Sequence, residues 1–287
     1  MKLGRLTIGD YIIAFLLILY GLFILFPLWY VLSISLVSQE TFVQNRLLLY
    51  PVNATLQNFR HILQWPTLRS GMWNSAIVAF FGAIYVLVLN VGFAYALLKP
   101  IPGRKIFWVL IIIPMFFGGG LLPYFLLMIN LGMMNNRLAM IVPFGLGIWN
   151  VFLIQSYMRT LSPEYEESAR LDGAGEMTLL IRIVLPLCKP ILATVALFAT
   201  VAGWNRWFEG MLFMQREYLW PLQLVLRNIL DNVSVALPGI PHEARRDAFG
   251  TGLQMASVIM TMIPIICVYP FMQKYFVKGI TLGGVKG

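Results

Sequence analysis

Two groups of residues in this sequence have types and spacings that can do chemistry. The first is the run Ser162-Pro163-Glu164-Tyr165-Glu166-Glu167-Ser168-Ala169-Arg170-Leu171-Asp172-Gly173-Ala174-Gly175, which continues to Leu185-Pro186. Five of the chain's twelve acidic residues lie here: Glu164, Glu166, Glu167, Asp172 and Glu176. Carboxylates this dense, between long apolar stretches, face water and are available for ion pairs with a water-borne partner. The second group is Trp204-Asn205-Arg206-Trp207-Phe208-Glu209. Its charges fall late in an apolar segment, where ionised groups are expensive and usually functional. Arg206 and Glu209 are three apart, so on a helix they could pair. One reading makes this group the wall of a polar path; the other makes it a structural ion pair among aromatic residues at a membrane interface.

Other chemistries lack their parts. No Gly-x-x-x-x-Gly-Lys-Ser/Thr phosphate loop occurs, so binding of ATP by this chain in the usual way is not expected. Gly118-Gly119-Gly120 has no lysine after it and reads as a helix break or close-packing site. The two histidines, His61 and His242, are far apart, and Cys188 and Cys267 have no ligand at metal-binding spacing. No metal site, no cofactor and no Ser/His/Asp arrangement is expected, and the chain does not read as an enzyme.

The elements that position both groups follow from composition. The 287 residues are 59% hydrophobic and only 11% charged, against about 25% charged in a soluble domain. Lipid therefore faces most of the surface. The net charge of +9 is scattered between apolar runs and forms no basic stripe, which argues against nucleic acid. A spanning helix needs about 20 mainly apolar residues. Six segments qualify: 11–37, 73–98, 106–129, 138–158, 190–211 and 253–276. The first is too long for a signal-peptide core and has no small-residue cleavage site, so no cleavable leader is expected. Pro27, Pro114, Pro123, Pro143 and Pro264 should kink these helices. Gly82, Gly92, Gly145 and Gly147 should allow close helix contacts.

Six spans put both termini on one side. With residues 159–189 inside, all seven lysines and five arginines fall inside, and nine arginines fall outside. The positive-inside rule then makes the acidic loop and both termini cytoplasmic. Residues 38–72 and 212–252 become the long outer loops, and 277–287 an inner tail, of a single membrane domain covering 1–287. Within the acidic loop, Ser162 is expected as N-cap and Pro163 at the first helical position. A short helix should run to Asp172, with Gly173 at the left-handed C′ position. A second should start near Gly175 and carry Leu179, Leu180, Ile183 and Val184, with Pro186 at its end or at a kink.

Glu167-Ser168-Ala169-Arg170-Leu171-Asp172-Gly173-Ala174, followed by Ile183-Val184-Leu185-Pro186, resembles the Glu-Ala-Ala loop of binding-protein-dependent ABC importers. Ser168 stands where that family usually has alanine. The likeness extends over most of the chain. Asn74-Ser75, Trp204-Asn205 and the tail from Lys278 resemble the maltose-type, carbohydrate-importing branch, and Met115-Phe116-Phe117-Gly118-Gly119-Gly120-Leu121-Leu122-Pro123 its subgroup for complex or acidic oligosaccharides. The resemblance implies an all-α membrane protein with six transmembrane helices in the type I ABC importer permease fold. It implies ATP and Mg in separate partner subunits, and coupling helices docked on those subunits through Glu166, Glu167, Ser168, Ala169, Asp172, Gly173, Ala174, Leu179, Ile183 and Pro186. Glu167 would pair with a basic residue of the partner or lock the loop internally, Asp172 would brace the glycine turn, and Leu179 and Ile183 would form an apolar ridge. The implied partners are a second homologous permease, two ATP-binding subunits, an extracytoplasmic solute-binding protein and an oligosaccharide, at the inner membrane of a bacterial cell.

On that resemblance, Trp204, Asn205, Arg206, Trp207 and Glu209, with Phe116, Phe117 and Tyr124, are candidates to line the sugar's path. Aromatic rings stack on sugar C–H faces, and Asn or Arg meets hydroxyls or carboxylates. All nine outer basic residues are arginine, whose planar fork suits carboxylates. This favours an acidic, uronate-containing cargo such as an alginate oligosaccharide, or equally an acidic face on the binding protein. Pro238, Gly239, His242, Arg245 and Arg246 are the candidate contacts to that protein. The alternative kept open is an ion-gradient-driven secondary transporter. It would need an intramembrane carboxylate relay and an inverted repeat; only Glu209, with Asp10 at the edge, approaches the first, and no repeat is visible.

Overall fold

The computed structural model of the chain describes residues 7–45, 48–231 and 251–280. Among these it is all helical, with no β-strand. The elements that matter are α1 (Ile8–Ser35), α2 (Gln39–Gln44), α3 (Gln57–Leu63), α4 (Pro66–Ala96), α5 (Arg104–Phe116), α6 (Leu121–Asn130), α7 (Ile148–Met158), α8 (Glu164–Leu171), α9 (Glu176–Thr178), α10 (Leu185–Leu187), α11 (Lys189–Trp204), α12 (Trp207–Phe213), α13 (Leu222–Asp231) and α14 (Thr251–Ile280). A π-helix, Leu179–Val184, joins α9 to α10.

Three helices are long and apolar enough to cross a membrane unaided: α1, α4 and residues Thr251–Val268 of α14. Three bent pairs raise the number to six if each pair is one span. α5 and α6 meet at 120°, the short helices Arg137–Phe144 meet α7 at 49°, and Glu176–Leu187 meets α11 at 82°. The expected span over 106–129 is thus two helices. The break is the Gly118-Gly119-Gly120 run, where three residues without side chains favour the open chain over the helix. The expected proline kinks are displaced as well. Pro123 lies in the first turn of α6 and Pro143 at the start of the short 3-10 helix Val142–Phe144, where a missing N–H costs nothing.

The chain forms two compact units. One comprises residues 1–65 and 226–263. Here the apolar body of α1 is exposed, and burial begins only at its C-terminal end, Ser33–Ser35. The Asn58 amide donates to the Ser35 and Val37 carbonyls. Residues 66–225 and 264–287 make up the second unit. Its core packs α4 against α7 and α11 through Val86, Ala94, Val151, Ile154 and Val195. At Gly203 the backbones of α11 and α4 approach closely: an added Cβ would lie 2.9 Å from Ala79 Cα. Of the four glycines expected at close contacts, Gly145 lies against the Tyr85 ring and Gly147 against the Asn150 side chain, while Gly82 and Gly92 meet nothing within 4 Å. Asn90, fully buried, donates to the Gly145 carbonyl and accepts from the Gly147 N–H. It holds open the bend that leads into α7.

Candidate functional sites: the acidic loop and the Arg206 cavity

The acidic loop folds as two helices and a turn. Pro163 has helical dihedrals, and its carbonyl accepts from the Glu166 and Glu167 N–H groups. The expected Ser162 side-chain cap is absent, because α8 begins without any side-chain cap bond. α8 ends as a Schellman motif: the Gly173 N–H donates to the Arg170 carbonyl and the Ala174 N–H to the Ala169 carbonyl. Gly173 has φ +82°, the left-handed conformation the motif requires. Asp172 is the C-cap, but its carboxylate makes no hydrogen bond or ion pair among the described residues, so the turn is braced by backbone rather than by Asp172. Pro186 sits inside helical backbone, not at its end. It offers no N–H to the Arg182 carbonyl, the residues before it are wound as a π-helix, and the sharp turn comes after Leu187.

An ionic clasp ties both loop helices to the end of α4. Lys99 Nζ lies 2.5 Å from Glu166 Oε2 on α8 and 3.9 Å from Glu176 Oε2 on α9. The Tyr95 hydroxyl donates to Glu176 Oε2 at 2.6 Å, and Arg170 pairs with Glu176 Oε1. Lys99 also sits 4.8 Å from the Tyr95 ring centroid. The Tyr95 hydrogen bond, then that of Arg170, with the Lys99 and Arg170 charges behind them, hold the Glu176 carboxyl below the usual carboxylate range. Beside the clasp lies a cleft of about 350 Å³, lined in part by Arg159, Tyr165, Glu167, Arg170 and Ile183. Sequence alone did not reveal Tyr95, Lys99 and Glu176 as partners. Tyr95 and Lys99 are 81 and 67 residues from their acceptors Glu176 and Glu166, and only the return of α8 and α9 to the end of α4 brings them together.

Exposure re-sorts the expected docking residues. Glu167 is exposed and unpaired among the described residues, so it is free for a partner, and the internal lock is made by Glu166 and Glu176 instead. Ser168, Asp172 and Gly173 are exposed, and Ala174, Ile183 and Glu166 are half-buried. Ala169 is buried. Leu179 is 0% exposed and cannot form a ridge for a partner; its side of the helix turns into this chain's own core. The apolar side chains the loop presents outward are Leu171, Met177 and Ile181, at 89%, 67% and 54% exposure.

The second group is only partly assembled. α11 ends at Trp204 and α12 starts at Trp207, with Arg206 non-helical between them. The helical spacing that would pair Arg206 with Glu209 is therefore lost, and they form no ion pair within 4 Å. Arg206 instead stacks on Phe144, 3.5 Å from the ring centroid, with its Nε buried and unbonded. Trp204 is buried, Asn205 caps back onto the Val201 carbonyl, and Trp207 lies edge-on to Phe208. Tyr124 packs against Phe213 at 5.5 Å, and its buried hydroxyl finds no hydrogen-bond partner. Phe116 and Phe117 are more than 70% exposed at the α5–α6 break and do not join the others. Pro238, Gly239, His242, Arg245 and Arg246 lie outside the described residues. Among the described residues, three more of the outer arginines are engaged within the chain: Arg137 donates to Asn74 Oδ1, Arg216 to the Tyr218 hydroxyl, and Arg227 to Asp231. Asn74 also donates to the Tyr218 and Trp220 carbonyls, and the Ser75 hydroxyl accepts from the Leu222 N–H, so this pair fastens residues 218–222 to α4. No group of three metal-ligating side chains occurs among the described residues.

Apolar helices in bent pairs, with a polar two-helix loop folded back onto one of them, define a multi-pass membrane transport subunit. The chain belongs to the binding-protein-dependent transport system inner membrane components, a family that matches residues 103–282, and its fold is that of the type I ABC permeases. It is 32% identical to Protein LplC of Bacillus subtilis (strain 168), covering 93% of this chain and 91% of that one. It is 30% identical to the polygalacturonan/rhamnogalacturonan transport system permease protein YtcP of the same organism, covering 97% and 98%. Among solved structures it is similar, with TM-score 0.85 and 32% identity over 95% of this chain and 99% of the other, to a chain of a bacterial ABC transporter involved in the import of the acidic polysaccharide alginate. A chain of the alginate transporter in complex with an alginate pentasaccharide-bound periplasmic protein shares the fold at TM-score 0.59 and 14% identity. Family membership accounts for the chain without the ion-gradient-driven alternative.

Proposed function

We propose that this chain is one transmembrane subunit of an ATP-driven oligosaccharide importer, and that residues 159–189 are where it is driven. The observation that carries the reading is the acidic loop itself. It is a two-helix device, clasped to α4 by Lys99 and Tyr95, that still offers Glu167, Leu171, Met177 and Ile181 outward. A loop tied in this way transmits a push on its outer face to α4 and, through the turn after Leu187, to α11. ATP and Mg would sit in two separate ATP-binding subunits, hydrolysis would occur there, and this chain would hold no cofactor. The acidic loop and both termini would be cytoplasmic, with residues 38–72 and 212–252 outside. An extracytoplasmic solute-binding protein would deliver cargo to this subunit and a homologous second permease, through contacts that include residues 238–246. The relatives' names make a carbohydrate the expected cargo, and the polygalacturonan and alginate systems among them favour an acidic one.

Reconstitution in vesicles tests this reading. Glu167→Lys and Gly173→Pro should each abolish ATP-driven uptake while the permease still inserts in the membrane. Normal uptake by either variant would remove the docking role from this loop.

A further inference from the structure

Behind Arg206 lies a cavity of about 190 Å³ between α4, α7 and α11, lined by Val78, Gly82, Phe144, Asn150, Phe198 and Arg206 among others. That is smaller than the roughly 300–1,000 Å³ of a pocket for a whole drug-sized ligand, and on the order of one sugar ring. Its polar equipment is incomplete. The Arg206 guanidinium has no hydrogen-bond acceptor and no carboxylate within ion-pair distance among the described residues, and its Nε is buried. The Asn150 amide also makes no hydrogen bond among those residues. Arg206 is half-buried and feels the Glu209 carboxylate only from beyond ion-pair distance, and a partly desolvated cation gains from a close acceptor. Phe144 covers one face of the guanidinium and leaves its N–H edges, the part that grips a carboxylate through two parallel bonds.

We propose that this cavity holds the carboxylate-bearing ring of an acidic oligosaccharide during passage, with Arg206 gripping the carboxylate and Asn150 a neighbouring hydroxyl. The assignment rests on the importer reading above and adds to it a subsite and a charge preference. An anionic ring supplies the close, hydrogen-bonded partner that Glu209, which acts on Arg206 only from beyond ion-pair distance, does not. Phe144 and Phe198 supply apolar surface for the ring's C–H faces. The space beside Gly82 is unfilled, since a Cβ built there meets nothing within 4 Å.

The test uses the complete importer in vesicles with its binding protein, and two probes: galacturonate oligomers and their neutral methyl esters. Arg206→Gln should reduce uptake of the acid oligomers by about tenfold or more and change uptake of the esters less than about twofold. Gly82→Leu, which fills the cavity with a better helix former, should reduce uptake of both. Equal loss of both probes in Arg206→Gln, or loss of neither, would overturn the subsite. If the wild type carries the esters but not the acids, the subsite falls and the importer reading stands. If it carries no oligosaccharide, the importer reading falls with it.

Discussion

Lys99, just beyond the end of α4, is joined to Glu166 on α8 across 2.5 Å, spanning 67 residues of sequence. The contact fixes where the acidic loop sits against the membrane helices. Both side chains keep some exposure, 21% and 37%, so the pair adds little to folding, about 0.2–1 kcal/mol. Its role is geometric, and its removal should be felt in transport more than in stability.

Charge reversal separates the two effects. Lys99→Glu and Glu166→Lys should each lower ATP-driven uptake by about tenfold while shifting the unfolding free energy by no more than about 1 kcal/mol. Combining them should recover much of the uptake, because the pair is restored with its charges exchanged. Uptake in vesicles and thermal unfolding in detergent read the two quantities.

The Glu176 carboxyl gives the clasp a pH profile. Its value is lowered in the folded protein, first by the Tyr95 hydrogen bond and then by Arg170. A lowered carboxyl contributes stability that is fully present above its unfolded value and is lost as pH falls through the folded one. The clasp should therefore hold at neutral and mildly acid pH and release only below the ordinary glutamate range. Following a fluorophore placed on α8 during an acid titration should show that release, and Glu176→Gln should remove this part of the transition.

Gly173 is required by backbone shape alone. Its φ of +82° is the left-handed C′ of a Schellman turn, and no atom lies within 4 Å of a Cβ built there. Gly173→Ala should cost the loop about 1–2 kcal/mol, and Gly173→Asn less. Proteolysis rates across the loop measure the difference.

Gly203 is required by space. A side chain there meets the Ala79 backbone at 2.9 Å, whereas one at Gly92 meets nothing within 4 Å. Gly203→Val should destabilise the α4–α11 packing by about 1–3 kcal/mol, and Gly92→Ala should be neutral or slightly stabilising. Thermal unfolding of the two variants side by side decides the matter.

What was legible in the sequence follows one division. Features set by local chemistry could be read in place: the apolar helices, the glycine turn at Gly173 and the second loop helix starting after Gly175. Features that need the chain to return on itself could not. Tyr95, Lys99 and Glu176 look ordinary until α9 comes back to α4. Leu179 and Ile181 are equally apolar in sequence, yet the first is 0% exposed and the second 54%. Arg206 and Glu209 have helical spacing, but α11 stops at Trp204, between the buried close contact at Gly203 and the pair. The helix breaks divide in the same way: the one at Gly118-Gly119-Gly120 is legible in the run itself, those before α7 and after Leu187 are not, and Pro123 and Pro143 occupy first-turn positions where they disturb nothing.

The central claim is that the outward face of the acidic loop is covered by an ATP-binding partner. Met177, 67% exposed, is the position that reads it most directly. With Cys267→Ser to remove the exposed native thiol, Met177→Cys should react rapidly with a maleimide in the isolated permease and be strongly protected once the ATP-binding subunits are assembled on it. Equal labelling rates in the isolated and assembled states would contradict the claim.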